Sequence, residues 1–187
     1  MNHIDFLKKF QVTKYELIFY LVLVSAFTLG IGYVDGIIFD TYVKPDMEGA
    51  EDWVAVGQPY QSIMLGLILW VALGLASFRI VMGLLAGAKL TPILFFTGGL
   101  YFISTLIFHN TGFTDYFYYT LRKIPIPTDL DWLNNMGIYQ WVRFATGNEN
   151  VNPTDLTIGM GIGVAILLTM WFLAIHHYKK GALKFLE

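Results

Sequence analysis

Residues 156–178 read LTIGMGIGVAILLTMWFLAIHHY, a stretch that contains no acidic residue, no lysine and no arginine. A helix needs roughly 20 apolar residues to cross a hydrocarbon core about 30 Å thick. The residues before it, Asn152-Pro153-Thr154-Asp155, place a capping side chain, a first-turn proline and an acid in the order that starts a helix. This stretch therefore predicts a transmembrane helix that begins near residue 154.

Three further apolar runs have the same character and lie earlier in the chain. They cover residues 17–34, 62–78 with an extension past Arg79 to residue 88, and 90–114. We therefore expect an all-α, polytopic integral membrane protein built as a four-helix bundle from one domain, residues 1–187. The predicted spans are residues 16–37, 60–88, 91–114 and 154–178, and residues 115–153 form an extramembrane segment.

Composition agrees with this class and excludes several functions. Of the 187 residues, 56% are hydrophobic and 14% are charged, against about 25% charged residues in soluble domains. The net charge of −2 gives no electrostatic basis for binding nucleic acid. The chain has no cysteine, which excludes disulfides, thiolate metal sites and cysteine nucleophiles. The first partners to expect are membrane lipids.

The distribution of lysine and arginine predicts the orientation. With four spans, the N-terminus, the turn between spans 2 and 3 and the C-terminus share one side, and most of the basic residues fall there. Because basic residues favour the cytoplasmic side, we expect both termini to be cytoplasmic in a multi-pass protein of the cell membrane. The two long loops, residues 40–58 and 115–153, then lie on the outer side.

The outer segment is rich in aromatic residues and is expected to meet lipid, a partner or its own bundle. Residues 129–144 (DLDWLNNMGIYQWVRF) predict one surface helix capped by Asp129. Such a helix suits the membrane interface or a protein contact. The candidate partner contacts are Trp132, Tyr139, Trp141 and Phe144.

Four ionisable residues are predicted to reach the outer mouth of the bundle. Asp35 and Asp40 lie at the end of span 1, while His109 and Asp115 end span 3. The candidate metal ligands among them are Asp35, His109 and Asp115. Imidazole and carboxylates suit a divalent metal such as zinc, copper or iron, or a proton relay. The alternative is that these residues mark where the spans meet water. His109 and Asp115 are six residues apart, so they share a helix face only if Gly112 breaks the helix.

Arg79 is the one strong charge predicted within a span. It lies ten residues before Lys89, roughly 15 Å from the turn at 1.5 Å per residue. We expect it to contact a lipid phosphate or another anionic group near the inner leaflet, or to have a buried partner. The alternative is that span 2 ends near Ser77 and that Arg79 begins a surface segment.

Pairs of glycines four residues apart occur in three spans. They are Gly32–Gly36, Gly83–Gly87 and Gly159–Gly163. Small residues at this spacing let helix backbones approach closely in lipid. The pairs predict tight packing, either within the bundle or against another subunit.

The function expected from these features is that of a small non-catalytic or accessory subunit in a larger membrane complex, of respiratory or monooxygenase type. The chain lacks the G-x-S-x-G, H-E-x-x-H and phosphate-loop motifs. One alternative is a metal- or acid–base-dependent enzyme with its site at the outer mouth. A second alternative is a small transporter or channel.

Overall fold

The computed structural model describes residues 14–38, 41, 53–85, 87 and 92–181, and it leaves out the side chains of residues 53–61 and 131. Asp40 and residues 42–52 of the predicted acidic outer loop lie outside these ranges. Every regular element in the described residues is helical. The α-helices are α1 (Lys14–Ile38), α2 (Trp53–Leu85), α3 (Pro92–Asn110), α4 (Phe113–Arg122), α5 (Gly137–Thr146) and α6 (Pro153–Lys179).

Four of these helices are long and apolar enough to cross a membrane, which confirms the predicted fold class. They are α1, the Ser62–Leu85 part of α2, α3 and α6. We call the end of the bundle where α1 begins the Glu16 end, and the end where α6 begins the Asp115 end. The start of α6 agrees with the cap predicted there: the Asn152 side chain accepts from the backbone N–H groups of Thr154 and Asp155.

Two boundaries differ from the prediction. Helix α2 begins at Trp53, earlier than the predicted residue 60, and ends at Leu85. Gly87 follows with φ +87°, and a Cβ there would meet nothing within 4 Å. Gly87 therefore takes the left-handed conformation that commonly follows a helix, rather than packing against a second helix. Helix α3 ends at Asn110, before the predicted residue 114.

Helix α3 is the centre of the bundle. In the 18-residue apolar stretch of α3 that could cross a membrane, 56% of the residues are buried inside the chain, against 22–28% in the other three spans. Helix α2 packs along α3, while α6 contacts both α3 and α5. Residues from α1, α2, α3 and α6 form an apolar core that includes Tyr20, Val24, Leu75, Leu94, Tyr101, Phe108, Leu167 and Trp171.

Helix α4 packs along the second half of α1, at the Asp115 end. A Cβ at Gly32 would lie 3.3 Å from the backbone nitrogen of Tyr118. A Cβ at Gly36 would lie 2.7 Å from Nη1 of Arg122, and that nitrogen donates to the Gly36 carbonyl at 2.9 Å. The first glycine pair therefore serves packing within the chain, which is one of its two predicted uses.

The outer segment has an apolar core of its own. Its buried members are Tyr119, Leu130, Leu133, Tyr139, Val142, Val151 and Leu156. The predicted single helix over residues 129–144 is wrong, because the segment forms a 3₁₀ turn, Asp131–Leu133, and then α5. The Asn134 side chain accepts from the backbone N–H of Val151 and donates to the side chain of Asn150. The residues between the 3₁₀ turn and α5 are therefore bonded to the loop between α5 and α6.

Candidate functional site

A buried ion pair joins α1 to α2. Arg79 donates from Nη2 to Oε2 of Glu16 at 3.0 Å and from Nε to Oε1, and neither side chain is exposed. Tyr101 of α3 donates from its hydroxyl to Oε1 of the same carboxylate at 2.8 Å. One carboxylate therefore ties three spans together near the Glu16 end.

Of the contacts predicted for Arg79, the structure supports the buried partner and not the lipid phosphate. Its guanidinium is fully buried, and its anionic partner is a carboxylate of the same chain. Glu16 was missed as that partner. It lies in the first turn of α1, where an acidic residue is ordinarily explained by the helix dipole, and it is 63 residues away from Arg79.

Three aromatic side chains form a buried cluster beside this pair. The ring of Tyr20 lies 4.9 Å from that of Tyr101 and 5.7 Å from that of Trp171. The Trp171 indole donates to Ser104 at 2.9 Å, and the hydroxyls of Tyr20 and Thr105 are 3.3 Å apart. Because each polar atom has a partner inside the bundle, the cluster joins α1, α3 and α6 without leaving an unbonded hydroxyl or indole.

His109 is buried near the last turn of α3, with 3% of its surface exposed. Its Nε2 lies 3.4 Å from the hydroxyl of Thr28 in α1, and its Nδ1 lies 2.7 Å from the hydroxyl of Thr114 in α4. One threonine hydroxyl can donate to the unprotonated ring nitrogen while the other accepts from the ring N–H, so a neutral imidazole satisfies both contacts. His109 therefore bridges α1, α3 and α4 through threonines.

The helix break anticipated at Gly112 is present. Gly112 has φ +86°, a left-handed conformation that separates α3 from α4. The sequence makes a shared face for His109 and Asp115 conditional on this break. Across the break His109 contacts Thr114, and the hydrogen bond of the Asp115 side chain goes to Trp132 instead.

Tyr139 reaches from α5 into the break. Its hydroxyl donates to the Thr111 carbonyl at 2.8 Å, and burial raises the pKa of Tyr139, so this hydroxyl stays a donor. Glycines leave the space for the ring: a Cβ at Gly159 would lie 2.5 Å from Cε1 of Tyr139, and a Cβ at Gly112 would meet its hydroxyl. Similarly, a Cβ at Gly163 would collide with the Thr111 side chain. The pair Gly159–Gly163 therefore also packs internally.

Asp115 lies in the first turn of α4 and accepts a hydrogen bond from the Trp132 indole at 3.0 Å. Burial, together with the nearby charge of Asp35, raises the pKa of Asp115 from its ordinary value of 3.8 to about 6, while the Trp132 hydrogen bond opposes the shift. Asp115 is thus an acid that changes charge close to neutral pH.

A pH titration tests this assignment. A carboxyl whose pKa is higher in the folded state than in the unfolded state stabilises most below the unfolded value, and this stability falls as pH rises toward 6. We expect a fluorescence step near pH 6 from Trp132, and we expect Asp115→Asn to abolish it. Asp129→Asn, at an exposed position, is the control that should keep the step. A step that survives in Asp115→Asn would assign the titration to another group.

The predicted metal site gains no support from the placement of its three residues. Both nitrogens of His109 contact threonine hydroxyls. Asp115 contacts the Trp132 indole, and the charge of Asp35 raises its pKa. Among the described residues, no three histidine, cysteine, aspartate or glutamate side chains are grouped closely enough to hold a metal ion. The charge of Asp35 raises the pKa of Asp115, whereas the hydrogen bonds of His109 go to Thr28 and Thr114.

The predicted partner contacts divide into two groups. Tyr139 is fully buried and Trp132 is partly buried against Asp115, so the prediction that Tyr139 meets a partner is corrected. Trp141 and Phe144 are 75% and 85% exposed. Tyr139 is buried and Trp132 is partly buried because residues 115–153 have an apolar core of their own. Helical spacing in the sequence does not show which apolar side chains enter that core.

Comparison with known proteins adds no functional information. No protein-family model, no curated protein and no solved structure matches this chain. Within the described ranges, the buried polar side chains named above bond mainly to one another and hold helices together. The function of the protein is therefore inferred from the residues of the chain itself.

Proposed function

We propose that the protein is a non-catalytic structural subunit of a larger membrane complex. The observation that carries this proposal is an open apolar groove of about 350 Å³ between α1 and α2. Its lining consists of Ala26, Phe27, Gly30, Ile31, Val34 and Leu67. In this proposal the groove receives a transmembrane helix of another subunit.

The glycine in the groove supports a helix as the occupant. A Cβ at Gly30 would meet nothing within 4 Å, so no neighbour within the described residues requires a glycine there. A glycine in a helix interior costs about 1 kcal/mol relative to alanine. Small residues are favoured in membrane helices where a second backbone approaches closely. A helix from a partner would use the space that a side chain at Gly30 would fill.

Other spans carry glycines of the same kind. Gly66 and Gly74 in α2 and Gly161 in α6 also have open space where a Cβ would be. They differ from Gly32, Gly159 and Gly163, whose missing side chains make room for residues of this chain. The open glycines therefore mark helix faces that remain available to partners.

The polar interior supports a structural role over a catalytic one. Glu16, Arg79 and Tyr101 bond to one another, and His109 bonds to two threonine hydroxyls. These groups stabilise the position of α3 among the other spans. We further propose, from the charge distribution, that the chain lies in the cell membrane with both termini in the cytoplasm.

Native electrophoresis of gently solubilised membranes tests the proposed assembly. We expect the tagged chain to migrate well above the size of one chain in detergent, together with other membrane proteins. Gly30→Leu fills the groove and is expected to release the chain to its monomer size.

Val22→Leu is the matched control, because Val22 is in the same helix and is 64% exposed. It should leave the assembly intact. Migration of the wild-type chain alone at its own size would reject the proposed function. An assembly that tolerates Gly30→Leu would reject the groove as its contact.

A further inference from the structure

Helix α5 is apolar on two opposite faces. Tyr139 and Val142 are buried on the face that packs against α6. Trp141 and Phe144 are exposed on the other face. Two polar side chains of α5, Gln140 and Arg143, lie on a third side. Exposed apolar groups that are bordered by polar residues mark contacts with proteins or membranes, so the second face of α5 suits an apolar environment outside the chain.

The contacts of Tyr139 set the level of α5 relative to the spans. Its hydroxyl bonds to the Thr111 carbonyl, directly after the last residue of α3. Its ring lies against Gly159, six residues into α6 from Pro153, or about 9 Å along the helix at 1.5 Å per residue. Helix α5 thus lies beside the ends of two candidate spans and does not project away from them.

The residues of α5 match the chemistry of a lipid surface at this level. Arg143 is its one charged residue, and α5 contains no acid. Nε of Arg143 donates to the Asn148 carbonyl at 3.4 Å, which places the guanidinium beside the loop that follows α5. Aromatic rings favour the boundary between lipid headgroups and acyl chains, and a nearby arginine can reach phosphate. A short helix with this composition is typical of segments that lie in the plane of a membrane interface.

We propose that Trp141 and Phe144 insert into the headgroup–acyl boundary of the bilayer at the Asp115 end, with Arg143 toward the lipid phosphates. The lipid contact continues the apolar surface of the spans onto α5 and holds the outer segment at a fixed depth. This proposal does not depend on the groove between α1 and α2 or on the partner proposed there.

Site-directed spin labelling can test the depth of α5, because the chain has no cysteine of its own. We would label Phe144→Cys in the full chain, with one chain in each phosphatidylcholine nanodisc, and compare collisions with oxygen and with a water-soluble nickel chelate. The controls are Glu149→Cys, an exposed loop position, and Phe172→Cys, which is 66% exposed and lies seven residues before the end of α6, about 10 Å along the helix.

We expect the oxygen-to-nickel collision ratio at residue 144 to exceed that at residue 149 several-fold and to lie below that at residue 172. Trp141→Cys should give the same result and guards against a local effect of one label. Nickel accessibility equal to that at residue 149 would place α5 in water. Protection from both reagents would place it against protein. Either result would overturn the proposed lipid contact.

Discussion

Glu16→Gln is expected to lower the free energy of unfolding by about 3–5 kcal/mol, because it removes one charge of a buried pair. The Arg79 guanidinium would remain in an apolar interior beside a neutral amide. The carboxylate also accepts from Tyr101, so the same change weakens a contact with α3. Circular dichroism during titration with a denaturing detergent measures the loss.

Removal of the Arg79 charge together with that of Glu16 provides the control for this prediction. In Glu16→Gln/Arg79→Met both charges are absent, and we expect much of the lost stability to return, because an apolar replacement of a buried pair is often tolerated. Glu149→Gln, at an exposed position, should change the free energy by no more than about 0.5 kcal/mol. A double variant that is less stable than Glu16→Gln would contradict the ion pair described here.

Gly159→Ala is expected to destabilise the fold by about 1–3 kcal/mol, because the added methyl group would collide with the Tyr139 ring. The ring can move only by giving up the hydrogen bond to the Thr111 carbonyl. Leaving that buried acceptor without its donor adds to the loss. Thermal unfolding of the purified chain, followed by circular dichroism, measures the effect.

Gly161→Ala is the matched control, two residues further along the same helix. A Cβ there meets nothing within 4 Å, and alanine is the better helix former, so the purified chain should be unchanged or slightly more stable. Tyr139→Ala should reduce the additional cost of Gly159→Ala, because the colliding ring is absent. Equal losses for Gly159→Ala and Gly161→Ala would refute a specific contact with Tyr139.

Much of the fold could be predicted because it depends on local properties. The lengths of the apolar runs located all four spans, and the side chain of Asn152 located the start of α6. The break at Gly112 was recognised as a condition, since glycine tolerates the left-handed backbone that a break requires. These features need only a few neighbouring residues, so they are visible in the order of the amino acids.

The candidate site was predicted less well, because its members are distant in sequence. Depth along the spans predicted that Asp35, His109 and Asp115 share one level, but it did not predict that the hydrogen bonds of His109 go to threonine hydroxyls. Depth specifies the level of a residue and not the direction in which its side chain points. His109 points toward threonines on α1 and α4, and the rotation of α3 about its own axis decides this.

The sequence by itself determined that four helices are long and apolar enough to cross a membrane, and it located the ends of each apolar span within about four residues. Hydrophobic length and capping are properties of continuous segments, which explains this success. Only the tertiary structure decided that Glu16 pairs with Arg79 and that Tyr139 is buried against Gly159 while Trp141 and Phe144 are exposed. Those outcomes depend on how helices pack and rotate against each other, and residues 63 positions apart carry no local sign of it.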